Sequence, residues 1–121
     1  MQGMELPGPD HPIAITPAAG RMRALWQGRV VAESDHVLML TEAAYGPVAY
    51  FPRADALMAM FSKTERQTFC PYKGQARYFS LSADGDVAQN AVWTYEDPFP
   101  AMAAIRGYLA FYANVVEVDD L

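Results

Sequence analysis

The residues best suited to chemistry lie in one short segment, Cys70-Pro71-Tyr72-Lys73-Gly74. Cys70 is the one thiol of the chain, and a thiol becomes a nucleophile as its thiolate, which a nearby cation favours. Lys73 would supply that cation if the loop curls back, and Gly74 leaves room for a close backbone approach. Cys70 and Lys73 are therefore the candidate catalytic pair. The simpler interpretation is a small buried thiol beside a solvated turn lysine.

A second set of candidates is aromatic. Trp93 and Tyr95 alternate on one face of a predicted strand, and Tyr78 takes the same face of its probable hairpin partner. With Tyr72 they would form a wall that stacks a planar ring or a cation. The opposite faces already provide a core side, with Phe79, Leu81 and Val92. A ligand pocket and ordinary cross-strand core packing are both open for the aromatic face.

Arg53 is the candidate anion contact, because its planar fork pairs with a carboxylate or phosphate. The alternative is a capping network with Asp55 at the start of a predicted helix. The predicted ligand-binding set comprises Tyr50, Arg53, Tyr72, Tyr78, Trp93 and Tyr95. His11 and His36 are distant candidates for a base beside Cys70. They lack metal-ligand spacing and an obvious third ligand, so neither a metal nor a cofactor is expected.

Short β-like runs separated by turn residues must position these side chains. The predicted strands cover residues 21–26, 29–33, 36–42, 48–51, 77–82, 87–95 and 115–118. Gln27-Gly28 and Asp84-Gly85 suit tight hairpin turns. The run 36–42 is apolar on both faces, which indicates a central strand.

Two segments have helical spacing instead. Residues 53–61 place Leu57, Met60 and Phe61 on one stripe. A second helix is predicted to begin at Asp97-Pro98, with Asp97 as N-cap and Pro98 in the first turn. Its buried face would hold Met102, Ile105 and Leu109, and Gly107 would end it. The predicted fold class is mainly β (α+β), a small single domain of antiparallel sheets with two short helices.

The composition of the chain limits the classes of partner and of metal or disulfide site that remain. The 121 residues carry 9 Lys and Arg against 14 Asp and Glu, a formal charge of −5, so neither nucleic acid nor a membrane surface is an expected partner. One cysteine excludes an intrachain disulfide and a multi-cysteine zinc site. Four prolines make residues 1–20 an extended N-terminal arm without a secretory-signal pattern, followed by one β-rich domain over residues 21–121.

Several motifs together resemble the family called domain of unknown function 427, which also carries a nucleotidyltransferase label. The resemblance is carried by the 68–78 segment around Cys70, by Tyr50-Phe51-Pro52-Arg53-x-Asp55, and by Trp93-x-Tyr95-x-x-Pro98. Weaker matches lie at 9–13, 28–34 and 108–112. The resemblance implies a β-tent-like fold, in which two antiparallel sheets meet at an angle and can hold a ligand. The zinc knuckle of several β-tent relatives cannot be carried over to a chain with one cysteine.

The resulting functional hypothesis is a bacterial-type cytoplasmic protein, a monomer or homodimer, with an aromatic-lined pocket for a small planar or polar ligand. An enzyme that uses Cys70 as a nucleophile or redox thiol is the first alternative. A protein-interaction module that uses exposed sheet edges is the second. The nucleotidyltransferase label finds no phosphate cradle or metal-binding carboxylates among these residues.

Overall fold

Antiparallel strands make up most of residues 3–121, the part of the chain that the computed structural model describes. Their bounds are β1 (Ile13–Pro17), β2 (Met22–Trp26), β3 (Arg29–Ser34), β4 (Leu38–Glu42), β5 (Val48–Tyr50), β6 (Phe61–Cys70), β7 (Gly74–Ala83), β8 (Asp86–Thr94), β9 (Leu109–Phe111) and β10 (Glu117–Asp120). They form three sheets, in the orders β1-β4-β5, β10-β2-β3 and β6-β7-β8-β9. The mainly β class predicted from the sequence is confirmed.

Both predicted hairpin turns are present. Gln27 and Gly28 join β2 to β3 with φ of 49° and 78°, and Asp84 and Gly85 join β7 to β8 with φ of 53° and 84°. Two successive residues with positive φ match the twist of the flanking strands, which is why such hairpins favour Gly at the second position. The β7–β8 turn sets the pairing as far as Leu81 opposite Ala88. A register shift between Leu81 and Phe79 then places Phe79 opposite Val92 and Tyr78 opposite Trp93.

The helix predicted over residues 53–61 is wrong. The segment forms two 3₁₀ turns, Arg53–Asp55 and Met58–Met60, and β6 begins at Phe61. Leu57 is 55% exposed, so the supposed buried stripe does not exist. Its N–H instead bonds to the Val31 carbonyl at 2.9 Å, because this stretch runs along β3 and takes its backbone partners there.

The predicted second helix is a 3₁₀ segment, Pro100–Ile105. Met102 and Ile105 are buried as expected, but Leu109 belongs to β9 rather than to the helix. Phe99 takes the N-cap position, where no side chain caps the segment, so the role predicted for Asp97 is wrong. Gly107, with a φ of 74°, follows the segment and accommodates the reversal into β9.

The last predicted strand is displaced along the sequence. The expected bounds were 115–118, whereas β10 runs over Glu117–Asp120 and pairs with β2. Val116, just before it, is buried in the core. Val116, part of the apolar run that suggested the strand, therefore packs in the core just before β10 begins.

The β6-β7-β8-β9 sheet packs on both of its faces. One face contributes Phe79, Leu81 and Val92 to a core shared with Met22 and Trp26 of β2. The other face lies against the β1-β4-β5 sheet through a cluster made of Leu40, Tyr50, Ala76, Tyr78, Tyr95, Met102, Ile105 and Ala110. Strand alternation thus separates an apolar face from an aromatic face, and a second sheet covers the aromatic one.

The covering sheet is joined to the β6-β7-β8-β9 sheet beside β9. Phe51, just after β5, exchanges two backbone hydrogen bonds of 2.8 Å with Leu109 of β9. Within the covering sheet β1 pairs with β4, which sets Ile13 opposite Glu42. Among residues 3–121, no helix combines the length and the apolar character needed to cross a membrane.

Candidate functional site

A cavity of about 480 Å³ lies between the aromatic face and the covering sheet. Its lining comprises Glu42, Tyr45, Val48, Tyr50, Cys70, Lys73, Tyr78, Trp93, Tyr95 and Tyr112, and we call it the aromatic cavity. Six of the eight residues predicted as catalytic or ligand-binding are in this lining. Tyr50, Tyr78 and Tyr95 are buried, while Trp93 is half-buried. The aromatic face therefore both packs as core and borders an open space.

Lys73 is held at the centre of a buried ion pair. It sits in the turn between β6 and β7, where Cys70 pairs with Gly74, and only 7% of its surface is exposed. Its Nζ donates a hydrogen bond to the Glu42 carboxylate at the end of β4. The interpretation of Lys73 as a solvated turn lysine is therefore wrong. The curled turn also places Nζ 3.9 Å from the Cys70 Sγ.

Glu42 connects this turn to the N-terminal segment. Its second carboxylate oxygen is 2.7 Å from the His11 Nε2. Burial would raise the pKa of Glu42, but the hydrogen bonds from Lys73 and His11 outweigh it and hold the pKa below its ordinary value. Glu42 is accordingly a carboxylate at neutral pH, and its charge balances that of Lys73 inside the lining.

Tyr72 faces the N-terminal segment rather than the cavity. Its ring stacks on the His11 imidazole, with centroids 4.0 Å apart and planes inclined by 7°. The Glu5 N–H donates to the Pro71 carbonyl at 2.7 Å. The segment therefore lies against the outer side of the same turn that carries Lys73. Tyr72 supports the turn instead of lining the aromatic cavity.

Hydrogen bonds fix the wall of the aromatic cavity. The Trp93 indole N–H donates to the Tyr50 hydroxyl at 3.2 Å, and the two rings meet edge to face at 90°. Burial raises the pKa of Tyr50 to about 12, so its hydroxyl stays protonated and available as a donor at neutral pH. Burial likewise raises the pKa of Tyr95 far above its ordinary value.

The pKa of Tyr78 is shifted in the opposite direction from that of Tyr50. Its hydroxyl lies 2.8 Å from the Thr68 hydroxyl and 3.4 Å from that of Tyr112. Burial would raise the pKa of Tyr78, but these hydrogen bonds and the Arg66 guanidinium, 4.9 Å above its ring, lower the pKa below the ordinary value of a phenol. The surroundings of Tyr78 thus favour an ionised phenol, whereas those of Tyr50 and Tyr95 oppose one.

Arg53 lies elsewhere. It lines a separate cavity of about 450 Å³, with its Nη2 atom 3.7 Å from the Glu96 carboxylate and its guanidinium over the Phe79 ring. The capping network proposed with Asp55 is also wrong, because Asp55 accepts a 2.6 Å hydrogen bond from Ser34. Arg53 is not among the residues that line the aromatic cavity.

Four residues of the lining, Glu42, Tyr45, Val48 and Tyr112, are not among the site residues predicted from the sequence. Glu42 had a signal, because Leu38, Leu40 and Glu42 share one face of β4 and a carboxylate there is unusual. For Tyr112 the sequence carries no such signal, because it follows β9 and comes to the cavity only when distant segments pack together. His36 lies outside the site, and His11 reaches Cys70 only through Glu42 and Lys73. Within residues 3–121 no three His, Cys, Asp or Glu side chains group in a way that could hold a metal ion.

Comparison with known proteins adds one decisive observation. A family model described as domain of unknown function (DUF427) matches residues 14–120. The chain belongs to the DUF427 family. The match spans both sheets around the aromatic cavity and confirms the resemblance seen in the motifs. No curated protein matches the chain.

Proposed function

We propose that this DUF427 protein binds a small, planar, net-neutral ligand in the aromatic cavity. The observation that carries the proposal is the combination of six aromatic residues with the Lys73–Glu42 ion pair in one lining. The volume of about 480 Å³ lies within the range of small-molecule sites. Trp93 supplies a half-buried ring face on which a planar group can stack.

The polar groups favour a particular ligand edge. Lys73 is a donor and Glu42 is an acceptor, and the two lie side by side in the lining. A ligand with a neighbouring acceptor and donor, such as a primary amide or a ring lactam, would pair with both. Since the two charges cancel, a ligand with a net charge would be desolvated without compensation, which is costly.

Benzamide is the simplest probe with these features, and we expect it to raise the melting temperature of the protein. An affinity on the order of 1 mM is reasonable for a ligand of nine heavy atoms. Replacing Trp93 by alanine removes the stacking surface, so the benzamide-induced shift should fall at least fivefold. The matched control is Phe69→Ala, which removes a half-buried ring that packs on Phe99 outside the aromatic cavity. An equal shift in all three proteins would contradict the proposal.

A second candidate function, a thiol-dependent enzyme, rests on the 3.9 Å contact between Lys73 Nζ and Cys70 Sγ. At this contact the Lys73 ammonium donates a hydrogen bond to the sulfur. The reacting sulfur would face a ligand that the aromatic walls orient.

Iodoacetamide alkylation at pH 7 tests this candidate. We expect Cys70 to react at least tenfold faster than free cysteine, and to lose most of that advantage in Lys73→Met. Lys73→Arg, which keeps the charge, should retain part of it. A rate equal to or below that of free cysteine would exclude the enzyme hypothesis.

A further inference from the structure

A second cavity adjoins the aromatic cavity. It measures about 490 Å³ and lies where all three sheets meet, with Met22 from β2, Met39 from β4, Ala49 from β5 and Val118 from β10 in its lining. Glu117, at its edge, is the one charged residue among those that line it. We call this space the apolar cavity.

The two cavities share a wall. Val48, Trp93 and Tyr112 line both of them. The rings of Trp93 and Tyr112 lie 4.7 Å apart and are tilted by 54°, so they form most of the partition. A molecule that packs on one side of these rings is separated from the other cavity by a single layer of side chains.

The partition is lightly held on the Tyr112 side. Tyr112 is 37% exposed, and its hydroxyl reaches Tyr78 over 3.4 Å, a long hydrogen bond. The ring packs on Trp93 and stacks on Tyr78, but its edge is exposed and its hydroxyl can exchange Tyr78 for water. Met22 and Met39, on the far side, are unbranched and adapt to the shape of what they contact.

From this shared wall we infer that the ligand is amphipathic, with a planar polar head in the aromatic cavity and a hydrocarbon arm in the apolar cavity. The inference rests on the proposed function, since the head must bind first. The arm is the occupant that fits, because it needs no hydrogen-bonding partner and the apolar cavity offers almost none. Each methylene transferred from water into such a space gains affinity.

A series of 4-alkoxybenzamides with one-, three- and five-carbon arms tests the inference by calorimetric titration. The affinity should rise about threefold for each added methylene. Ala113→Phe places a bulky ring at an exposed position in the lining of the apolar cavity. In that variant the affinity ratio between the longest and shortest members should fall toward one. Ala104→Phe, an exposed alanine in the Pro100–Ile105 segment, is the matched control and should keep the ratio of the original protein.

The outcomes separate the two proposals. If no member of the series and no benzamide binds, the proposed function fails. If benzamide binds but arm length has no effect, the head site stands and the amphipathic ligand is excluded. A length dependence that persists unchanged in Ala113→Phe would place the arm outside the apolar cavity and would also overturn the inference.

Discussion

Replacing Lys73 by methionine is expected to lower the free energy of unfolding by about 3 kcal/mol at pH 7. Methionine keeps most of the volume of the stem but leaves the Glu42 carboxylate, 18% exposed at its side chain, without its ammonium partner. Removing one member of a buried pair strands the other charge, which costs more than the pair itself contributes. His11 remains as a partner of Glu42 and keeps the loss at the low end of the usual range. Urea denaturation measures it.

A double substitution separates the ion pair from simple loss of packing. Lys73→Met combined with Glu42→Leu removes both charges, and we expect it to recover stability to within about 1 kcal/mol of the original protein. A loss of similar size in the single and double variants would contradict the account, because the stranded carboxylate would then not be the cause.

The same pair predicts an acid dependence. The pKa of folded Glu42 lies below the unfolded value of 4.5, so its contribution to stability is present above that pH and is lost as the pH falls through the folded pKa. In Lys73→Met the effect of burial is opposed by His11 alone, and the pKa of Glu42 should rise. Carboxyl NMR titration of the two proteins should show that upward shift.

The second large effect is expected in alkali. The pKa of folded Tyr50 is raised to about 12 by burial, against 10.0 for an ordinary phenol, so the neutral side chain stabilises the fold below pH 10. That stability is lost as the pH rises through the folded pKa, because the unfolded chain releases its proton first. For a folded pKa of about 12, the stability lost between pH 10 and 12 is about 2 kcal/mol. Tyr95, whose pKa is raised by burial as well, adds to the loss in the same direction.

Tyr50→Phe isolates the titration of one phenol. The variant loses the hydrogen bond from the Trp93 indole, so its stability at pH 7 should fall by about 1 kcal/mol. Its free energy of unfolding should then decline less steeply between pH 10 and 12 than that of the original protein. Parallel declines would show that ionisation of Tyr50 does not oppose folding, and the buried position of its hydroxyl would be contradicted.

The aromatic site was largely predictable because it depends on strand alternation. Trp93 and Tyr95 share a face because they alternate on one strand, and the β7–β8 hairpin places Tyr78 opposite Trp93. The Asp84-Gly85 turn predicts that hairpin, and the register shift after Leu81 leaves Tyr78 on the same face. Lys73 and Cys70 are only three residues apart, so a tight turn was enough to bring them together. Both the aromatic face and the Cys70–Lys73 pair were therefore predictable from spacing within short stretches of sequence.

The misses depend on contacts between distant segments. β6 went unrecognised since most of its residues between Phe61 and Cys70 are polar and exposed, as suits an edge strand, and no apolar alternation marks it. The predicted helix over residues 53–61 extended onto Phe61, which is the first residue of β6. The contacts of Glu42 with His11 and Lys73 both span 31 residues. The first forms where β1 pairs with β4, and the second forms where the covering sheet packs near the β6–β7 turn.

The most direct test of ligand binding in the aromatic cavity uses the two tryptophans of the chain as reporters. In a two-dimensional ¹H–¹⁵N spectrum each indole N–H gives one signal. The Trp93 indole donates to Tyr50 in the cavity wall, whereas Trp26 is 1% exposed in the other core. Titration with benzamide should move the Trp93 signal along a saturable curve and leave the Trp26 signal in place. A Trp93 signal that stays fixed at saturating benzamide, or moves only together with that of Trp26, would contradict a ligand site in the aromatic cavity.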